Sequence, residues 1–303
     1  VPSFLKYDII ILIEGDFMDD ILTPLNKKKK IAEAFMAVGS VILIGGVLLF
    51  ISGNTFILMI IGVFFLFIGF GYFSHVGTLF KSKVLKNHLE KKIDNCVYEP
   101  KKGLGKQEIM STEFLKRPDR IKSEDYLAGE LDGVKFVSSD VILQDRRVTH
   151  TSKGGTHTRY VTYFHGRIFR FDFNKAFKGS VQVLESYSPK SRRHFENVSL
   201  ESVDFNKIFK TYATNAHTAF YILTPHFMES LMSLEKKHPG NLGFSFLDTQ
   251  LHVAIHNRQS AFSIRPFSKM DTTLLSRFDE DLNIIYDIVD DLKLNKDIFK
   301  EEE

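Results

Sequence analysis

Two stretches of the chain are apolar almost without interruption. Ile31–Ile51 reads IAEAFMAVGSVILIGGVLLFI and Phe56–Phe73 reads FILMIIGVFFLFIGFGYF, with one charged residue, Glu33, in both together. A run of about 20 apolar residues is the length a helix needs to cross a hydrocarbon core. The four residues between them, Ser52-Gly53-Asn54-Thr55, are turn formers, so the spans are predicted to fold back as an antiparallel hairpin. Lys27 to Lys30 precede the first span, and Lys81, Lys83 and Lys86 follow the second. Lysines at these ends place both on the cytoplasmic side. The alternative is a buried helical hairpin of a soluble protein, which two lysine-flanked spans disfavour.

Gly39 and Gly46 are seven residues apart, as are Gly62 and Gly69, so each pair shares one helix face. Counted outward from the turn, Gly46 lies level with Gly62 and Gly39 with Gly69. Small residues let two helix backbones approach closely in lipid, and these four are the candidate hairpin-packing residues. The bland alternative is that glycine is common in such helices.

After the spans the pattern changes. Lys81 to Asn95 reads as a basic helix, and KKGLGK at Lys101–Lys106 as a flexible basic linker. From 119 the runs shorten and alternate. GELDGVKFVSSDVILQDRRVTH is split by Asp132-Gly133, a hairpin signal, and TRYVTYFHGRIFRFDF continues with alternating aromatics. VQVLES, AFYILT, LGFSFL, QLHVAIH and AFSIRPF are further strand candidates. PHFMESLMSLEKKH reads as a helix opened by Pro225 and closed by Pro239-Gly240. From Thr272 to about Phe299 a longer helix carries an apolar stripe of Phe278, Leu282, Ile285, Val289 and Leu292, with aspartates opposite. Such a stripe docks on its own domain or forms a coiled-coil seam.

The expected fold is therefore an α+β cytoplasmic domain with a largely antiparallel sheet, preceded by a two-helix transmembrane hairpin. The expected divisions are 1–17, 18–30, 31–80, 81–118, 119–271 and 272–303. They correspond to an upstream extension, a short cytoplasmic N-terminus, the hairpin, a basic juxtamembrane segment, the α+β domain and an acidic amphipathic helix. The first residue is Val1, and Glu14-Gly15-Asp16 can be encoded by a purine-rich ribosome-binding sequence just before Met18. Translation is accordingly expected to start at Met18, with a processed or truncated chain as the alternative.

DFNKAFK, from Asp172, and DFNKIFK, from Asp204, are nearly the same phrase. In each, Asp can cap a short turn, Asn tolerates left-handed backbone, and two Phe four apart cover one side of a helical turn. Phe173, Phe177, Phe205 and Phe209, with Phe278, Leu282 and Ile285, form the candidate packing or partner surface.

Composition narrows the chemistry. The chain has 303 residues, a formal net charge of +3, one cysteine, no tryptophan and 29 phenylalanines. One cysteine excludes an internal disulfide and a multi-cysteine zinc site. Of the eleven histidines, His150, His157 and His165 cluster, but without the close spacing a zinc site uses. SKGGT lacks the phosphate-loop pattern, and no GxSxG occurs. No catalytic residue, metal or other cofactor is expected. Arg146, Arg147, Lys153 and Arg159, with Lys101, Lys102 and Lys106, are the candidate lipid-headgroup contacts. Nucleic acid is not expected, since it calls for a larger basic surface with interleaved stacking aromatics.

The phrases HGRIFRFDFNKAFKGSVQVL and VDFNKIFKTYATNAHTAFYILTPHFMESL, with SEDYLAGELDGVKFVSSDV upstream, resemble the bacterial membrane-protein family called domain of unknown function 3137. The resemblance covers most of the chain from Ile31 and implies two helices before a cytoplasmic α+β domain at the inner membrane. It implies no activity and no catalytic residues. Relatives are often encoded near LemA-type membrane proteins, which implies such a protein as a partner. The expected function is a membrane-anchored binding or scaffolding domain holding a protein partner. An anionic-lipid headgroup binder is the alternative, and an enzyme is a third class.

Overall fold

The computed structural model describes residues 3–52, 56–150, 155–172, 179–190 and 193–294, and for residues 3–20 and 272 the backbone alone. The chain forms two compact units, Val1–His88 with Phe262–Asp279, and Leu89–Ala261 with Glu280–Glu303.

In the first unit, α1 (Ser3–Ile51) and α2 (Ile57–Phe80) pack along each other. Both are long and apolar enough to cross a membrane, and only 17% and 11% of their most apolar windows are buried. A core helix of a soluble protein would hide that surface. The glycines set how closely the helices approach. A Cβ on Gly46 would lie 2.7 Å from Met59 N, one on Gly62 2.6 Å from Leu43 N, and one on Gly39 2.8 Å from Leu66 N. Gly69 meets Met36 in the same way. The glycines thus do not face their equal-depth counterparts. Each receives the backbone of a larger residue, in a register shifted from simple counting.

Glu33, the lone charge of the first span, is accounted for. Its carboxylate pairs with Lys29 and accepts from Phe267 N at 2.6 Å. Lys29 Nζ donates to the Ser268 carbonyl at 2.6 Å, and Asn26 Nδ2 to that of Met270 at 2.7 Å. Lys29 is therefore buried, while Lys27, Lys28 and Lys30 are exposed. AFSIRPF is accordingly not a strand; its residues from Phe262 begin the segment that makes these bonds. Beyond Phe80, α2 continues through a π-helical turn, Lys81–Leu85, into α3 (Lys86–Glu90).

The second unit is built on one nine-stranded sheet in the order β1-β2-β3-β4-β9-β8-β5-β7-β6. The strands are β1 (Asp94–Glu99), β2 (Arg120–Leu131), β3 (Val134–His150), β4 (Thr156–Asp172), β5 (Val181–Leu184), β6 (Glu196–Val198), β7 (Lys210–Ala213), β8 (Asn241–Leu247) and β9 (Gln250–His256). Every pairing is antiparallel. Asp132-Gly133 makes the predicted tight turn, with both φ angles positive at 49° and 82°. Two-residue alternation gives the sheet two apolar faces. One carries Val141, Leu143, Phe164, Ile168 and Ala254, packed with Leu104, Ile109, Phe114 and Leu115 around α4 (Lys106–Met110). The other carries Phe244 and Phe246, met by Phe209 and Phe227 at ring-centroid distances of 6.1 and 5.8 Å.

Three local readings are corrected. Asn95 belongs to a strand, not a helix, and KKGLGK is no free linker. Lys102 O accepts from Tyr126 N at 3.0 Å, and a Cβ on Gly103 would collide with Ser123. AFYILT is mostly α6 (Ala216–Ile222), capped by Asn215, whose side chain accepts from His217 N at 2.9 Å. A short apolar run does not declare its period, and the cap decides here. α7 (Pro225–Lys237) forms as predicted, with Thr224 as its N-cap. α8 (Thr272–Asp291) docks its apolar stripe within the chain: Phe278 in the first unit, Leu282, Ile285 and Val289 in the second, all buried.

Candidate functional site

β3 and β4 are 17 residues each, longer than any other strand among the described residues. β2 follows β3 only as far as Gln144, and β9 pairs with β4 only from Arg167. Beyond those points β3 and β4 run on as a two-stranded ribbon, exposed from Arg146 to His150 and from Thr156 to Tyr160. Two carboxylates hold its base. Lys116 Nζ lies 2.6 Å from Asp145, and Asp119 accepts from Arg146 N at 2.7 Å. Farther out, Arg147 stands directly opposite Arg159, and Arg146 opposite Tyr160. Adjacent pairs alternate faces. One face therefore shows Arg147, Arg159 and His157, and the other Arg146, Val148, Tyr160 and His150. Among the described residues neither Arg147 nor Arg159 has a carboxylate in ion-pair reach. Arg120 stacks its guanidinium 5.1 Å from the Tyr160 ring centre.

This register separates His150 from His157, which lie on opposite faces of the ribbon. His165 bonds Ser260 Oγ through Nε2 at 3.2 Å. Among the described residues no group of three His, Cys, Asp or Glu side chains is placed to hold a metal ion.

A cleft of about 690 Å³ opens in the second unit, lined by Glu185, Lys237, His238, Asn241, His256 and Arg258, among others. His238, ending α7, bonds Asp287 of α8 at 2.8 Å, and Lys237 bridges Asp287 and Asp291 at 3.2 and 2.8 Å. His256 Nδ1 accepts from His165 N at 3.0 Å, so the neutral ring carries its proton on Nε2. Burial, then Arg258 and His165, lower the His256 pKa. Burial raises that of Glu185, against the opposing bond from Leu242 N. A neutral imidazole and a carboxyl shifted toward its acid form thus share one cleft and can exchange hydrogen bonds with a polar molecule. No local spacing marks these residues, since they come from the ends of β5 and α7, from β9 and from α8.

The expected site residues divide sharply. Phe205, Phe209, Phe278, Leu282 and Ile285 are at most 2% exposed, so none offers a contact surface. The second DFNK phrase lies in α5 (Val203–Ile208), capped by Ser202 rather than Asp204. Asp204 is exposed and pairs with Lys207, and Asn206 is helical, donating to Leu200 O at 2.6 Å. The Phe205 and Phe209 rings lie 5.2 Å apart. Phe173, Phe177 and Lys153 fall outside the described residues. Lys102 pairs with Glu99 at 2.6 Å, Lys106 reaches the Pro118 carbonyl at 3.5 Å, and Lys101 is exposed.

The family model described as protein of unknown function, DUF3137, matches residues 162–294, somewhat under half of the chain. The phrases at 165–184 and 203–231 that carry the resemblance fall inside that span. The apolar helices and the outer ribbon fall outside it. No curated protein matches the sequence. Among solved structures, the chain is similar to the crystal structure of the mycobacterial trehalose monomycolate transport factor A, TtfA, at 11% identity. That similarity covers 66% of this chain and 88% of the other with a TM-score of 0.37, too distant to carry an argument about function.

Proposed function

We propose that the chain is a membrane-anchored binding protein whose contact element is the β3–β4 ribbon. In this reading α1 and α2 cross the bacterial inner membrane as a hairpin, with both ends and the α+β region in the cytoplasm. The ribbon is the observation that carries it. Its two strands extend beyond their neighbours and expose arginines, an apolar residue and an aromatic ring while burying almost nothing. Such an extension adds little to the core, and exposed elements on a rigid scaffold are where binding residues concentrate. Tethering the domain beside a bilayer keeps whatever the ribbon binds at the membrane, which is a scaffolding role. The buried phenylalanines support the sheet from which the ribbon projects.

The test is purification of the full-length protein from native membranes in mild detergent, beside an Arg147→Glu/Arg159→Glu variant. Mass spectrometry of co-purifying proteins and lipids is the readout. The expected result is a component held by the parent chain and lost from a variant that still inserts. Identical sets from both would remove the ribbon from the binding role.

A further inference from the structure

We infer that the ribbon engages an anionic phospholipid surface, with a phosphoryl group seated between Arg147 and Arg159. This rests on the reading above that the ribbon is the contact element.

From Arg146 to Val161 the sequence contains no Asp or Glu, and it contains Arg146, Arg147, Lys153 and Arg159. Asp145 pairs with Lys116 and Asp119 bonds the Arg146 main chain, and no described carboxylate lies within ion-pair reach of Arg147 or Arg159. Arg147 opposite Arg159 is a like-charge cross-strand pair, which is mildly unfavourable by itself. Two guanidinium forks on one face suit a single tetrahedral oxyanion, which each can grip with two parallel hydrogen bonds.

The other face separates a membrane from a protein partner. It bears Arg146 with Val148 and Tyr160, which are 41% and 47% exposed. A flat acidic protein surface would cover one face and leave the other in water. A ribbon end entering a headgroup layer is surrounded on both faces, where arginine, tyrosine and small apolar groups are all accommodated. The apolar spans of the same chain tether its domain to a bilayer, so modest intrinsic affinity suffices.

The chain has no tryptophan, so Thr158→Trp places a single, selectively excitable tryptophan on the ribbon. The full-length protein is reconstituted into brominated bilayers, either zwitterionic or containing phosphatidylglycerol. Quenching is expected only with phosphatidylglycerol, and high salt should abolish it. A basic residue near an anionic surface is worth roughly fivefold in partition, so Arg147→Gln with Arg159→Gln should weaken association roughly 25-fold. Lys190→Gln, a charge removed elsewhere, should leave it unchanged. Equal quenching in both bilayers, or none in either, overturns the inference. So does a spectral shift caused by inorganic phosphate in the zwitterionic bilayer, which would make free phosphate the ligand. If quenching is absent while the Arg147→Glu/Arg159→Glu variant still loses a co-purifying protein, the lipid inference falls and the ribbon reading stands. If neither measurement responds, both fall.

Discussion

Asp140 lies directly across the β3–β4 ladder from Arg167, and both side chains are buried, with Arg167 Nε 3.6 Å from Asp140 Oδ1. Close by, Tyr98 donates to Asp125 at 2.6 Å, and burial followed by the Asp125 charge pushes the Tyr98 hydroxyl far above its ordinary range. A buried polar row therefore crosses β1 to β4. Removing one member of a buried pair leaves the other charge in low dielectric. Arg167→Met is expected to destabilise the protein by about 3–5 kcal/mol. Adding Asp140→Leu should recover much of that loss, because no lone charge then remains. Thermal unfolding of the full chain in mild detergent reads both, and equal loss in the single and double variants would show that the pair itself carries the stability.

The helix hairpin offers a contrast within one residue type. Gly46→Ala and Gly62→Ala would push a methyl against the backbone of the facing helix, whereas a Cβ on Gly45 or Gly71 meets nothing within 4 Å. The first two should lower the unfolding temperature in detergent, at a cost of about 1–3 kcal/mol for overpacking. Gly45→Ala and Gly71→Ala should be neutral or slightly stabilising. Equal behaviour of all four would place the close contact elsewhere.

His252 makes stability depend on pH. Burial first, then Arg170, lowers its pKa from 6.5 to about 4, and its Nε2 lies 3.0 Å from Ser111 Oγ. The unfolded chain takes up this proton before the folded one does. The contribution is therefore complete above about 6.5 and is lost as pH falls toward 4, a change of about 3 kcal/mol. His165 and His256, also lowered, act in the same direction, while the raised Glu185 acts in the opposite one. His252→Gln should flatten unfolding temperature against pH between about 4.5 and 7. An unchanged slope would show that His252 is not its source.

Stability and binding should part at Arg159. Arg159→Glu sets an opposite charge across from Arg147 and should stabilise the ribbon by about 0.2–1 kcal/mol. The same change should weaken association with bilayers containing phosphatidylglycerol. Unfolding and vesicle quenching measured on one preparation check this. A variant both less stable and weaker in binding would reduce the effect to unfolding of the ribbon.

The two apolar helices, the Asp132-Gly133 turn and α7 are legible in the chain because each depends on neighbours within a few residues. Apolar length, a turn dipeptide and a proline beside a threonine cap act locally, whatever the rest of the protein does. The α+β class follows from the same local periods. Tertiary structure decided the rest. Glu33 reads as a lone charge in a lipid span until Phe267 N and Lys29 are seen around it. The phenylalanines and the α8 stripe read equally as core or contact surface, because apolar pattern does not state what covers it. Arg147 and Arg159 read only as two members of a basic group, and only strand register sets them face to face. His238, Asp287, His256 and Glu185 come together across elements far apart in sequence. Such contacts form through folding of the whole sheet, so no local spacing records them.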